Sequence, residues 1–188
     1  MRRDAIWWLI GVVWLAAIGG GLWAWERYDT AAGADQPAAP APTEPGPPRW
    51  RLTVFVHPHC PCARATVGEL AEVIRQAPEL AVRIIFVRPA SSGAGWERGR
   101  LWDAAAELPG AELVCDPAGK EAREFGAETS GLVALTDPTG RAVFRGGITR
   151  GRGREGDSAG RRAVVNLIAG RAGAADAPVY GCPLFSDD

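Results

Sequence analysis

Trp50 to Gln76 read WRLTVFVHPHCPCARATVGELAEVIRQ. The first seven residues, Trp50 to Val56, are an apolar, β-branched run, the pattern of a strand buried on both faces. The run stops at the proline-rich turn His57-Pro58-His59, and two cysteines follow at once, Cys60 and Cys62 around Pro61. From Pro61 to Gln76 the period changes: Val67, Leu70, Ala71, Val73 and Ile74 share one helical face, and Pro61 stands where a first-turn proline is tolerated. The stretch is therefore strand, turn and helix, with a dithiol at the junction.

The alternation continues outward. Leu80 to Val87 is expected as a second strand, and Trp96 to Leu108 as a helix closed by Pro109-Gly110. Glu112 to Cys115 follows as a short strand, Pro117 to Phe125 as a helix and Leu132 to Thr136 as a strand. Asp137-Pro138-Thr139-Gly140 is a turn from which Arg141 to Arg145 pairs back, and Ala159 to Arg171 closes the domain as a helix. Helices alternating with strands imply an α/β fold: a mainly parallel sheet, covered on both faces, with one antiparallel hairpin at its edge.

Two segments precede this domain. Ala5 to Trp25 carries no charge and is long enough to cross a hydrocarbon core of about 30 Å. Trp7, Trp8, Trp23 and Trp25 sit near its ends, where indole rings favour the membrane interface. Residues 1–29 are thus expected as one transmembrane anchor. Arg2 and Arg3 before the span favour a cytoplasmic N-terminus in a cell membrane, which puts the rest in the periplasm or another extracytoplasmic space. Residues 30–48, rich in proline and alanine, have almost nothing to bury and read as a disordered spacer reaching up to about 60 Å. The remaining residues, 49–188, are one domain.

Charge excludes one class of function. The chain has 21 basic and 22 acidic residues, a net charge of −1, so no long-range field draws it to nucleic acid. The cysteines are Cys60, Cys62, Cys115 and Cys182, too few and too unevenly spaced for the framework of a small disulfide-rich scaffold. They point to redox or metal chemistry instead.

In open α/β sheets a site forms beyond the carboxyl ends of the strands, where Cys60 and Cys62 fall. Unpaired amides and the dipole at a helix start favour thiolate, which assigns Cys60 as nucleophile and Cys62 as the thiol that resolves a mixed disulfide. One intervening residue makes a small closed ring, which points to an oxidising or isomerising couple rather than a strong reductant. No cofactor is needed. The alternative is metal binding by His57, His59, Cys60 and Cys62, a set that suits copper better than structural zinc because no second ligand pair follows. Cys115, at the end of a strand, reads as a small buried hydrophobe. Cys182, in the apolar tail Tyr180-Gly181-Cys182-Pro183-Leu184-Phe185, is a possible third redox thiol or ligand, or a packing residue. Arg150-Gly151-Arg152-Gly153-Arg154 reads as a solvated loop.

The order of elements from about Trp50 to Arg171 resembles the thioredoxin-like superfamily, in its longer variant. VFVHPHCPCARATVGEL, DPAGKEAREFGAETSG, DPTGRAVFRGGITRGRGREGDSAG and the closing GCPLF are together similar to small membrane-anchored bacterial proteins often labelled RedB. The resemblance implies a thioredoxin-like mixed sheet behind one transmembrane helix, and disulfide exchange with exported or membrane-bound protein partners. The chain departs from the superfamily twice. Thioredoxins carry two residues between their cysteines, where this sequence has only Pro61. They also place a cis-proline before the strand facing the dithiol, where this sequence reads Thr129-Ser130-Gly131-Leu132. In the superfamily that proline helps to bind substrate and keeps metal from the thiols. Similar copper chaperones place a histidine near that point, where Ser130 stands.

Overall fold

The computed structural model describes residues 2–33 and 48–185. The chain divides into two units, Met1–Ala31 and Ala32–Asp188. The first is one helix, α1 (Arg2–Thr30). Within Asp4–Thr30 an 18-residue window reaches a mean hydropathy of 1.9, and the helix is long and apolar enough to cross a membrane. Trp7, Trp8, Trp14, Trp23 and Trp25 all stand exposed on it. Most of the spacer expected over 30–48 lies outside the described residues.

The second unit is a mixed sheet flanked by helices. Its strands are β1 (Arg51–Val56), β2 (Ala81–Arg88), β3 (Ala111–Pro117), β4 (Leu132–Thr136), β5 (Ala142–Gly146) and β6 (Asp176–Ala177), in the spatial order β3-β2-β1-β4-β5-β6. β1, β2 and β3 run parallel, β4 pairs antiparallel with both β1 and β5, and β6 joins parallel to β5. The helices are α2 (Ala63–Gln76), α3 (Arg100–Ala106), α4 (Lys120–Glu124) and α5 (Ala159–Ile168).

The alternating side chains of β1 explain why its run is apolar throughout. Leu52, Val54 and Val56 join Leu70, Val73, Leu101 and Val164 in the core beneath α2, α3 and α5. Phe55 points the other way, into a second core with Ile85, Leu132, Phe125 of the turn after α4, and Leu184 of the tail. Both faces of the central strand are covered, so alternation of apolar with polar residues disappears. Phe55 is fully buried, with its ring centroid 5.0 Å from that of Phe125. Phe55→Ala is expected to lower unfolding stability by about 3–5 kcal/mol, measured by urea denaturation of the full chain in detergent.

Element order matches the sequence reading, and the differences have local causes. The helix expected over Trp96 to Leu108 shortens to α3, because Trp96 packs against imidazole rings instead of entering the helix. The one expected over Pro117 to Phe125 starts only at Lys120, since Ala118 and Gly119 both take positive φ, 58° and 64°. Asp116 then caps α4 from outside, its carboxylate accepting from the amides of Glu121 and Ala122 at 3.1 and 2.9 Å. α5 stops at Ile168, short of the expected Arg171, two residues before Gly170 at φ 69°. Two residues of β6 carry no periodicity to read, and they pack where Gly146 has no side chain.

Candidate functional site

The site is built at the carboxyl end of β1. The backbone turns tightly there: the Cys60 amide donates to the His57 carbonyl at 3.0 Å, and the Ala63 amide to the Cys60 carbonyl at 3.2 Å. Cys62 takes helical angles as the N-cap of α2, without a side-chain capping bond. The Ala63 and Ala65 amides are committed to the carbonyls of Cys60 and Cys62, so the donation to sulfur expected at this helix start does not come from them. Cys60 is buried, at 4 % exposure, and Cys62 is half-buried.

The two histidines belong to an aromatic cluster. The ring centroid of His59 is 4.2 Å from that of Trp96, and His57 meets the same indole edge-on at 5.5 Å. His57 Nδ1 accepts the His59 amide at 3.3 Å. Among the described residues the donor atoms that do converge are three sulfurs: those of Cys60, Cys62 and Cys182 lie within 4.8 Å of one another, and neither His57 nor His59 joins that group. Cys115 stands apart, half-buried in β3 opposite Phe86, its thiol pushed up by burial and by Glu97.

Cys182 arrives from the far end of the chain. Its carbonyl accepts the Ser130 amide at 2.8 Å, Pro183 bridges antiparallel to Thr129, and the Leu184 amide donates to the Glu128 carbonyl at 2.8 Å. Leu184, at 1 % exposure, seats the tail in the second core. Ser130, in the segment without proline, also accepts the His57 amide through Oγ at 2.9 Å. One residue thereby ties the cysteine turn to the tail. Cys60 Sγ and Cys182 Sγ end 2.9 Å apart.

Burial, more than any charge, pushes the Cys62 thiol up, and the neighbouring Cys60 adds to the effect. Cys182 is pushed up to about 12, by burial first and then by its hydrogen bond to Cys60 and the charges of Cys60 and Cys62. Arg152 opposes both shifts, and its guanidinium donates to the Gly181 carbonyl. Arg152 therefore belongs to the site, while Arg150, Gly153 and Arg154 of the same stretch are exposed, as expected of a solvated loop. Charge and glycine content alone carry no mark of this, nor of the packing of Trp96 on the histidines.

No family model matches the sequence, and no curated protein matches it. Solved structures do. A hypothetical protein of Sinorhizobium meliloti 1021 shares 23 % identity over 72 % of this chain and 78 % of its own, at a TM-score of 0.53. An uncharacterized conserved protein of Geobacillus kaustophilus shares 14 % over 85 % and 96 %, at 0.58. A thioredoxin-like protein of Aeropyrum pernix shares 14 % over 80 % and 96 %, at 0.47. The parallel β3-β2-β1 half, the antiparallel β4-β5 half and a dithiol after the central strand make the fold of the second unit thioredoxin-like.

Proposed function

We propose that this chain is a thiol-disulfide oxidoreductase, held to a membrane by α1 and acting through Cys60 and Cys62 on exported or membrane-bound protein partners. The observation that carries the reading is the make-up of the cluster: two thiols at one strand-to-helix junction and a third from the tail, with no carboxylate or imidazole of the described residues in the converging group. Such a group exchanges disulfides directly. A thiolate attacks one sulfur of a partner's disulfide, a mixed disulfide forms, and the second partner sulfur leaves with the electron pair and takes up a proton. The neighbouring cysteine then attacks the mixed disulfide, giving a Cys60–Cys62 bond and a fully reduced partner. Run backwards, the same steps oxidise a partner dithiol.

The test is a trapping experiment with the full chain in detergent. A double variant, Cys62→Ser with Cys182→Ser, leaves Cys60 no neighbouring thiol to resolve it and is expected to accumulate a mixed disulfide between Cys60 and a model disulfide peptide, seen as a mass increase lost on reduction. The same variant without such an adduct, beside a wild type that does not cycle between dithiol and disulfide in glutathione buffers, would sink the reading.

The third sulfur favours a second reading, carriage of Cu(I). Soft thiolates suit that ion, and the donors would be Cys60, Cys62 and Cys182, with His57 and His59 outside the set. Under reducing conditions this predicts one Cu(I) per chain, retained against a competing chelator and lost in Cys182→Ser. Retention in that variant would count against a three-sulfur site.

A further inference from the structure

We infer that Cys182 is a third redox thiol: the tail presents it to Cys60, the two close into an internal disulfide, and Cys62 opens that disulfide by exchange at Cys60. The inference rests on the oxidoreductase reading and adds to it an intramolecular partner.

The placement of Cys182 is fixed from both sides. Ser130 holds its carbonyl, Pro183 bridges to Thr129, and Leu184 is locked by the Glu128 carbonyl and by burial. Ahead of it, Gly181 lies so close to β4's entry segment that a Cβ built there would stand 1.8 Å from the Ser130 carbonyl oxygen. No side chain fits at that position while the tail is docked. Because the Ser130 hydroxyl also holds the His57 amide, the strand end carrying Cys60 and the tail carrying Cys182 are fastened to the same residue. The 2.9 Å sulfur contact is the result of that fastening.

The chemistry balances without a resident cofactor. An external disulfide takes two electrons and two protons from the Cys60 and Cys182 thiols, leaving as two thiols. In the second step the Cys62 thiolate attacks Cys60 Sγ; the Cys60–Cys62 bond forms as Cys60–Cys182 breaks. The electron pair leaves on Cys182, which takes up the proton that Cys62 released. That step is an isomerisation, with no net oxidation. Burial at Cys182 favours the protonated product. The exchange returns Cys182 to the free thiol, the form in which this structure shows it beside Cys60.

The experiment uses the full chain in detergent, poised in glutathione buffers, quenched in acid, alkylated and digested with trypsin. Cleavage after Arg51, Arg64 and Arg171 gives peptide 52–64, with Cys60 and Cys62, and peptide 172–188, with Cys182. A linked 52–64/172–188 species is expected in wild type at intermediate poise, as the sole disulfide in Cys62→Ser, and absent in Cys60→Ser. Gly181→Ala is expected to cut its yield by about tenfold or more while Cys60–Cys62 still forms, because the added methyl displaces the tail and leaves every sulfur in the chain. If wild type forms Cys60–Cys62 while Cys182 stays free in Cys62→Ser, the inference is overturned and the oxidoreductase reading stands. If wild type forms no disulfide at any poise, both fall.

Discussion

Cys60→Ala is expected to slow disulfide exchange by at least about a thousandfold, a larger loss than replacing either of the other two site cysteines. Cys60 is the sulfur shared by both proposed disulfides. Removing it leaves Cys62 and Cys182, whose thiols are both pushed up, in each case by burial first. Losing Cys60 relieves the part of those shifts that its charge and hydrogen bonding cause, but not the burial. At neutral pH a thiol raised above its ordinary value is almost wholly protonated, and the thiolate is the form that attacks. The pair left behind is therefore slow. The measurement is the rate of disulfide formation in glutathione buffer, followed by quenched alkylation, with far-UV circular dichroism to show that the variant folds. A rate within about tenfold of wild type would mean that Cys62 carries the exchange unaided.

The parts of this site that are legible in the sequence are the local ones. Cys60 and Cys62 stand next to a strand whose apolar run ends in prolines, so their position at a strand-to-helix junction follows from composition within one short window. What sequence reading leaves open is distance along the chain. Cys182 is separated from Cys60 by 122 positions, and its tail shows only a glycine, a proline and apolar side chains, a pattern equally suited to plain packing. Ser130 stands out in the sequence only as the residue at the point where the resemblance leads one to seek a proline or a histidine. Its role arises from two hydrogen bonds to segments far apart in sequence, one made by its hydroxyl and one by its amide. Trp96 reads as the start of an amphipathic helix, and only the fold reveals that aromatic packing on the histidines outweighs a further helical turn there.

Glu69 is the clearest case of a residue whose pattern misleads, and it carries the other large expected effect. It falls beside the apolar face of α2 and would be taken for a solvated position, yet it is buried at 3 % exposure. One carboxylate oxygen meets the Arg161 guanidinium of α5 at 2.7 Å, and the other accepts the amide of Gly156. The carboxylate thus ties α2, which begins at the cysteines, to α5 and to the loop that carries Arg152. Glu69→Ala strips a half-buried cation of its principal partner and a backbone amide of its acceptor, and breaking a fully buried pair costs about 3–5 kcal/mol. The partial exposure of Arg161 and the exposed Asp157, 3.5 Å from it, offset part of that and put the expected loss at about 3 kcal/mol. Tryptic cleavage at Arg150, Arg152 and Arg154 reports on the loop directly. If opening is rapid relative to cleavage, its rate should rise by about a hundredfold in the alanine variant. Glu69→Gln, which keeps an acceptor for Gly156 while losing the charge, should lie between. Unchanged cleavage in Glu69→Ala would mean that the loop is held by other contacts, and that the path from α2 through Glu69 to Arg152 does not support the cysteine site.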